Sequence, residues 1–117
     1  SQVARKTLSP NIRTHSNGES AFLMFQEKLR GDALYLLDEP ENSLSAARQI
    51  ALADFLADSA RFYGCQFVLA THSPFLLAIP GARIYDLDSD PVRTRRLTEL
   101  ESVLDTFEFF QQHKEEF

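Results

Sequence analysis

The stretch that most constrains this chain is Ala33-Leu34-Tyr35-Leu36-Leu37-Asp38-Glu39-Pro40. An apolar run with no polar alternation reads as a strand buried on both faces, usually in a parallel sheet. Proline has no N–H for the ladder, so Pro40 marks the strand's end. Asp38 and Glu39 then stand at the carboxyl end of a central strand, where open α/β sheets bind their ligands. An ordinary strand end with two solvated acids has the same local sequence, so the rest of the chain must decide.

The flanking segments supply the other elements. Ser16-Asn17-Gly18-Glu19-Ser20 opens an apolar stretch over 21–30, with Phe22, Phe25 and Leu29 on one helical face. Ser16 and Asn17 suit a helix cap, and Gly31-Asp32 suits a stop. After Pro40, Ser45 is a natural N-cap for a long helix ending at Gly64. Leu52, Phe55, Leu56, Ser59 and Phe62 or Tyr63 form its expected buried stripe; Arg48, Gln49, Asp54, Asp58 and Arg61 fall off it. Gln66-Phe67-Val68-Leu69-Ala70 predicts a second buried strand, followed by Thr71-His72-Ser73. Pro74 suits the first turn of a short helix over 75–79. Residues 83–87 alternate and predict a third, more exposed strand, with 92–97 as an antiparallel return. Residues 99–117 read as a terminal helix with Leu100, Val103, Leu104, Phe107 and Phe110 apolar. Helix–strand–helix–strand–helix–strand order gives an α/β layer fold with a mainly parallel sheet flanked by helices.

Composition narrows the class. At 117 residues the chain can bury roughly two-thirds of its unfolded surface, enough for a real core. The net charge of −5 argues against a dedicated nucleic-acid module. From Glu99 onward six acids face one lysine, so the tail alone carries that charge. Arg93, Arg95 and Arg96 form a basic patch that reads as a solvated strand face or as a phosphate contact. The single Cys65 excludes an internal disulfide, reads as a small buried residue, and fits a reducing cytoplasm. No apolar run approaches the ~18 residues of a membrane span. Residues 1–15 are polar and turn-rich, and read as a linker or a truncated upstream segment. Residues 16–117 read as the folded part.

Three elements now stand in order: a glycine-containing loop capping a helix, an apolar strand ending in Asp38-Glu39, and a later one ending in Thr71-His72-Ser73. This resembles the nucleotide-binding domain of ABC-type ATPases over residues 16–72, through its signature loop, Walker B strand, D-loop and H-loop. With Ile84-Tyr85-Asp86-Leu87 and the terminal helix, it looks most like small soluble ATPases of the AAA/ABC P-loop superfamily. The resemblance implies ATP and Mg²⁺ as cofactors. It gives Asp38 to the metal, through coordinated waters. It makes Glu39 the general base for the attacking water and His72 a hydrogen-bond donor to the γ-phosphate. Ser16, Asn17, Gly18 and Glu19, at a helix N-terminus, would face the γ-phosphate of ATP bound to a second copy, giving a homodimer with nucleotide sandwiched between two chains. A plain helix cap is the other reading of that loop, and a solvated side chain the other reading of His72.

Several positions depart from the family pattern. Asn17 and Glu19 stand where glycine and glutamine are commonest. Asn42-Ser43-Leu44-Ser45 occupies the D-loop, with Ser45 where the family has aspartate. None of the four glycines is followed by lysine, so there is no Gly-x-x-x-x-Gly-Lys-Ser/Thr loop. The expected fold is therefore an incomplete ABC-type P-loop NTPase whose P-loop strand is absent from this chain. Its C-terminal catalytic part would be present, and would be inactive alone. The sheet would be left with an open inner edge beside Phe67–Thr71. That edge would be covered by the missing N-terminal half, by a second copy, or by residues 83–87 shifting across. Two other functions remain open: a non-catalytic interaction module of the same fold, and a metal-dependent nuclease-like site on Asp86, Asp88 and Asp90. The last competes with a plain turn over Asp88-Ser89-Asp90-Pro91.

Overall fold

The computed structural model describes residues 26–117. The chain divides into two units, one ending at Pro80 and one spanning Gly81–Phe117. Ser16, Asn17, Gly18, Glu19 and most of the expected helix over 21–30 lie outside the described residues; residues 26–28 are helical.

The first unit is a strand–helix–strand unit followed by a helical turn. Strand β1 is Leu34–Asp38, helix α1 is Ala46–Phe62, strand β2 is Gln66–Ala70 and α2 is Pro74–Leu77. β1 and β2 pair in parallel, with Leu34 opposite Gln66 and Asp38 opposite Ala70. Parallel neighbours need a crossover, and α1 supplies it. The sequence of α1 has no glycine or proline, and the Ser45 Oγ accepts the Arg48 N–H at 3.2 Å. That bond satisfies one of the amides a helix start leaves without a partner. Leu52, Ala53, Leu56 and Ser59 are its buried positions. They join Tyr35, Leu37, Cys65 and Leu76 at the centre of the unit.

Tyr35 ties the core to the preceding segment. Its ring stacks on Phe67 with centroids 5.5 Å apart. Its hydroxyl accepts the Arg30 N–H at 2.6 Å and lies 3.2 Å from the Arg30 carbonyl. The Cys65 thiol donates to that carbonyl at 3.2 Å, which makes the lone cysteine the small buried residue expected of it.

The expectation that both strands are buried on both faces is corrected. Tyr35 and Leu37 are buried, but Leu34 is 38% and Val68 53% exposed. The core helices cover one face, and the side chains of a strand alternate between faces. The stripe of α1 is corrected likewise: Phe62, its last residue, and Tyr63, its C-cap, are exposed.

The turn from α1 into β2 depends on Gly64, at φ +66°. Asp32, also left-handed at φ +52°, lies across from it, and its N–H donates to the Tyr63 carbonyl at 2.9 Å. A methyl group on Gly64 would collide with the Asp32 carboxylate. Gly64→Ala is therefore expected to lower stability by about 1–2 kcal/mol, from the left-handed conformation and the clash together. The urea midpoint checks this; an unchanged midpoint would contradict it.

The second unit has its own small sheet. β3 (Ile84–Asp86) and β4 (Arg93–Arg95) pair antiparallel, with Tyr85 opposite Thr94. The expected return strand is thus present, but among the described residues the single mainly parallel sheet is not: the four described strands form two separate pairs. β3 does not move across to extend β2, so that proposed cover for the open edge is wrong. Its carboxyl-end residue is committed locally: the Asp86 Oδ2 accepts from the Arg95 Nε at 2.9 Å and its Oδ1 from the Asp88 N–H at 3.0 Å.

The expected helix over 99–117 is broken into three. A 3₁₀ turn, Leu97–Glu99, precedes helix α3, Glu101–Gln112, and a second turn, Lys114–Glu116, follows. Leu100 is extended, at φ −78° and ψ 129°, and separates the first two. The Glu99 side chain closes the first turn by accepting the Arg96 N–H at 2.8 Å, and this bond holds its carboxyl below the ordinary range. Leu100 is buried, whereas Leu104, Phe107, Phe109 and Phe110 on α3 are exposed.

Candidate functional site

The parallel register brings the ends of β1 and β2 level, so Asp38 lies opposite Ala70, with His72 two residues further on. The last backbone rung is the Glu39 N–H donating to the Ala70 carbonyl at 2.7 Å. The chain then turns sharply. Glu39 has φ +48° and Ser43 φ +67°. A left-handed residue other than glycine costs on the order of 1–2 kcal/mol, and such costs gather at functional sites. Here the turn is held by the Asn42 N–H donating to the Glu39 carbonyl at 3.1 Å and the Leu44 N–H to Glu41 at 2.9 Å. Pro40 beneath it is buried; Asp38 is exposed and Glu39 half-buried.

Beyond the last rung, side chains join the two strand ends. The Glu41 carboxylate takes the Thr71 hydroxyl on Oε1 at 2.7 Å and the His72 N–H on Oε2 at 3.0 Å. Thr71 Oγ1 also accepts the Ser73 N–H at 3.0 Å. The buried Ser73 hydroxyl donates to Gln49 Oε1 at 2.7 Å and accepts the Leu76 N–H at 3.3 Å, capping α2. Gln49 Nε2 returns to the Leu44 carbonyl at 3.0 Å. The acidic turn, α1 and the His72 loop are thereby fastened together. The His72 bond uses its backbone N–H, so the exposed imidazole takes no part in it.

The structure thus brings Asp38, Glu39 and His72 to one end of the parallel pair. Ser45 is in the same loop, where its hydroxyl serves as the α1 cap. Sequence reasoning missed the joining residues. Gln49 falls off the expected buried stripe of α1, and Glu41 is not among the expected site residues. The available signal was an acid just past one strand end and a threonine just past its parallel neighbour.

The described residues contain no group of three or more His, Cys, Asp or Glu placed to hold a metal directly. Adjacent carboxylates at an exposed strand end still match the chemistry of Mg²⁺, which takes one or two carboxylates and keeps several waters. The aspartates of the second unit do not form a metal site: Asp86 is already paired with Arg95 and with the Asp88 amide. No helix among the described residues is long and apolar enough to cross a membrane.

A parallel strand–helix–strand unit with acids and a histidine at its carboxyl end is an α/β arrangement, and open sheets of that class bind ligands at that end. Comparison with protein-family models places it further: residues 15–78 match the family described as "AAA domain, putative AbiEii toxin, Type IV TA system". The match covers over half of the 117 residues, and the chain belongs to this family of AAA domains, within the P-loop NTPase superfamily. Domains of this type generally use ATP and Mg²⁺. No curated protein and no solved structure matches the chain.

Proposed function

We propose that the chain is the C-terminal catalytic part of an ABC-type ATPase that binds and hydrolyses ATP between two copies. The observation that carries this reading is the fastening of the Asp38-Glu39 turn and the His72 loop at one end of the β1–β2 pair. Asp38 would hold Mg²⁺ through its waters, and the ion would neutralise phosphate charge. Glu39 accepts the proton of the attacking water, and the His72 imidazole donates a hydrogen bond to the terminal phosphate. Ser16, Asn17, Gly18 and Glu19 would serve the nucleotide of the second copy, with Ser45 near the same junction. The phosphates need a P-loop, and the sequence has no glycine followed by lysine. That loop must therefore come from outside these residues, from an N-terminal half or a partner carrying it. The same absence favours the second reading, an interaction module that does not hydrolyse nucleotide.

Calorimetry separates the two. This chain alone is expected to bind no Mg-ATP at millimolar nucleotide. Combined with a P-loop-bearing partner, it is expected to bind nucleotide and release phosphate. Failure to bind or hydrolyse in the combined state would leave the interaction module as the reading.

A further inference from the structure

We propose that Glu41 is a positioning residue that sets the His72 loop against the Asp38-Glu39 turn, so that the base and the phosphate donor keep a fixed spacing. This inference rests on the ATPase reading for its consequence in catalysis, but its structural part does not.

The argument starts where the ladder stops. Up to Glu39 and Ala70 the strands are held by backbone rungs. Past that point the two turns that carry the chemistry would be free to diverge. Glu41 closes the gap with both carboxylate oxygens, one on the Thr71 hydroxyl and one on the His72 amide. Bonds to an ionised acceptor are about twice as strong as neutral ones. Both oxygens of Glu41 are thus engaged across the gap. The Gln49–Ser73 bond fastens the far side of the same loop to α1 independently. Loss of Glu41 should therefore loosen His72 without releasing α2 or the sheet.

The choice of substitution follows from donor chemistry. Alanine removes both acceptors. Glutamine keeps an acceptor for the His72 N–H and offers an N–H₂ group to Thr71 Oγ1, so it retains much of the clamp. In the full chain, amide exchange followed by NMR should show His72 exchanging about tenfold faster or more in Glu41→Ala. Amides of the Leu37–Leu69 rungs should be unchanged, and Glu41→Gln should stay near the parent. In the ATP-hydrolysing assembly, Glu41→Ala should lower kcat by about 10- to 100-fold with a smaller change in KM, as expected of a misplaced group. Glu41→Gln should recover most of that loss.

Unchanged His72 exchange in Glu41→Ala overturns the clamp. Faster exchange with parental turnover, in an assembly that Glu39→Gln disables, overturns the positioning role. Absence of ATP turnover in the assembled parent, with faster His72 exchange in Glu41→Ala, rejects the ATPase reading and keeps the clamp.

Discussion

Glu39→Gln should cut ATP turnover by roughly 10²–10⁴-fold, the range a positioned general base supplies, while Mg-ATP binding stays close to the parent. The substitution keeps the side chain's size and removes its ability to take a proton. The local fold should tolerate it, because the left-handed turn at φ +48° is held through the backbone. The Glu39 N–H bonds Ala70 and the Glu39 carbonyl accepts from Asn42, and glutamine provides both groups. Asp38 makes a useful contrast: on the proposed reading Asp38→Asn should weaken a hold on Mg²⁺, so its defect should ease as the ion is raised, whereas that of Glu39→Gln should not. Phosphate release measures turnover and calorimetry measures binding in the same assembly. Parental turnover in Glu39→Gln would remove this residue from the mechanism.

The largest stability effect is expected in the core of the first unit. Leu56 is 2% exposed and sits among Tyr35, Leu37, Leu52 and Leu76. Truncating a buried leucine to alanine loses transfer energy and leaves a cavity, at a cost of about 2–5 kcal/mol. Whole domains are stable by only about 5–15 kcal/mol, so Leu56→Ala should unfold the unit at a much lower urea concentration. Val68→Ala is the matched control. Val68 lies on the other face of the sheet and is 53% exposed, so its truncation should cost under about 1 kcal/mol. Equal midpoints for the two variants would contradict the one-sided core described above.

Much of the first unit could be read from local signals. Apolar runs ended by Pro40 and by Thr71-His72-Ser73, with a capping serine before a helix free of glycine and proline, located β1, α1 and β2. Those signals are short-range, and the physics that sets strands, caps and stops is short-range too. The errors came where a neighbour decides the outcome. Leu34 and Val68 look like core residues, but whether a strand's second face is covered depends on what lies against it. Residues 84–86 alternate as a strand should and pair with the expected antiparallel return, but nothing local says that this pair forms a sheet of its own. The positions of Asp38, Glu39 and His72 follow from the strand ends: Asp38 closes β1, Glu39 comes next, and His72 stands two residues past β2. Glu41 and Gln49 were not legible, because their partners lie 31 and 24 residues away in sequence. A hydrogen bond across that distance leaves no periodic trace.

The level register of β1 and β2 bears on how such a chain can vary in length. Asp38 and Ala70 are in step because five residues on each strand are paired one to one. A residue inserted within either strand would shift everything after it by one position and turn its side chains to the opposite face. The acids and His72 would then no longer meet. Extra residues between Gly81 and the end of the chain leave that registration untouched, and lengthening a surface connection costs little. Length variation among relatives of this chain should therefore be concentrated outside the two short strands and the turns that leave them.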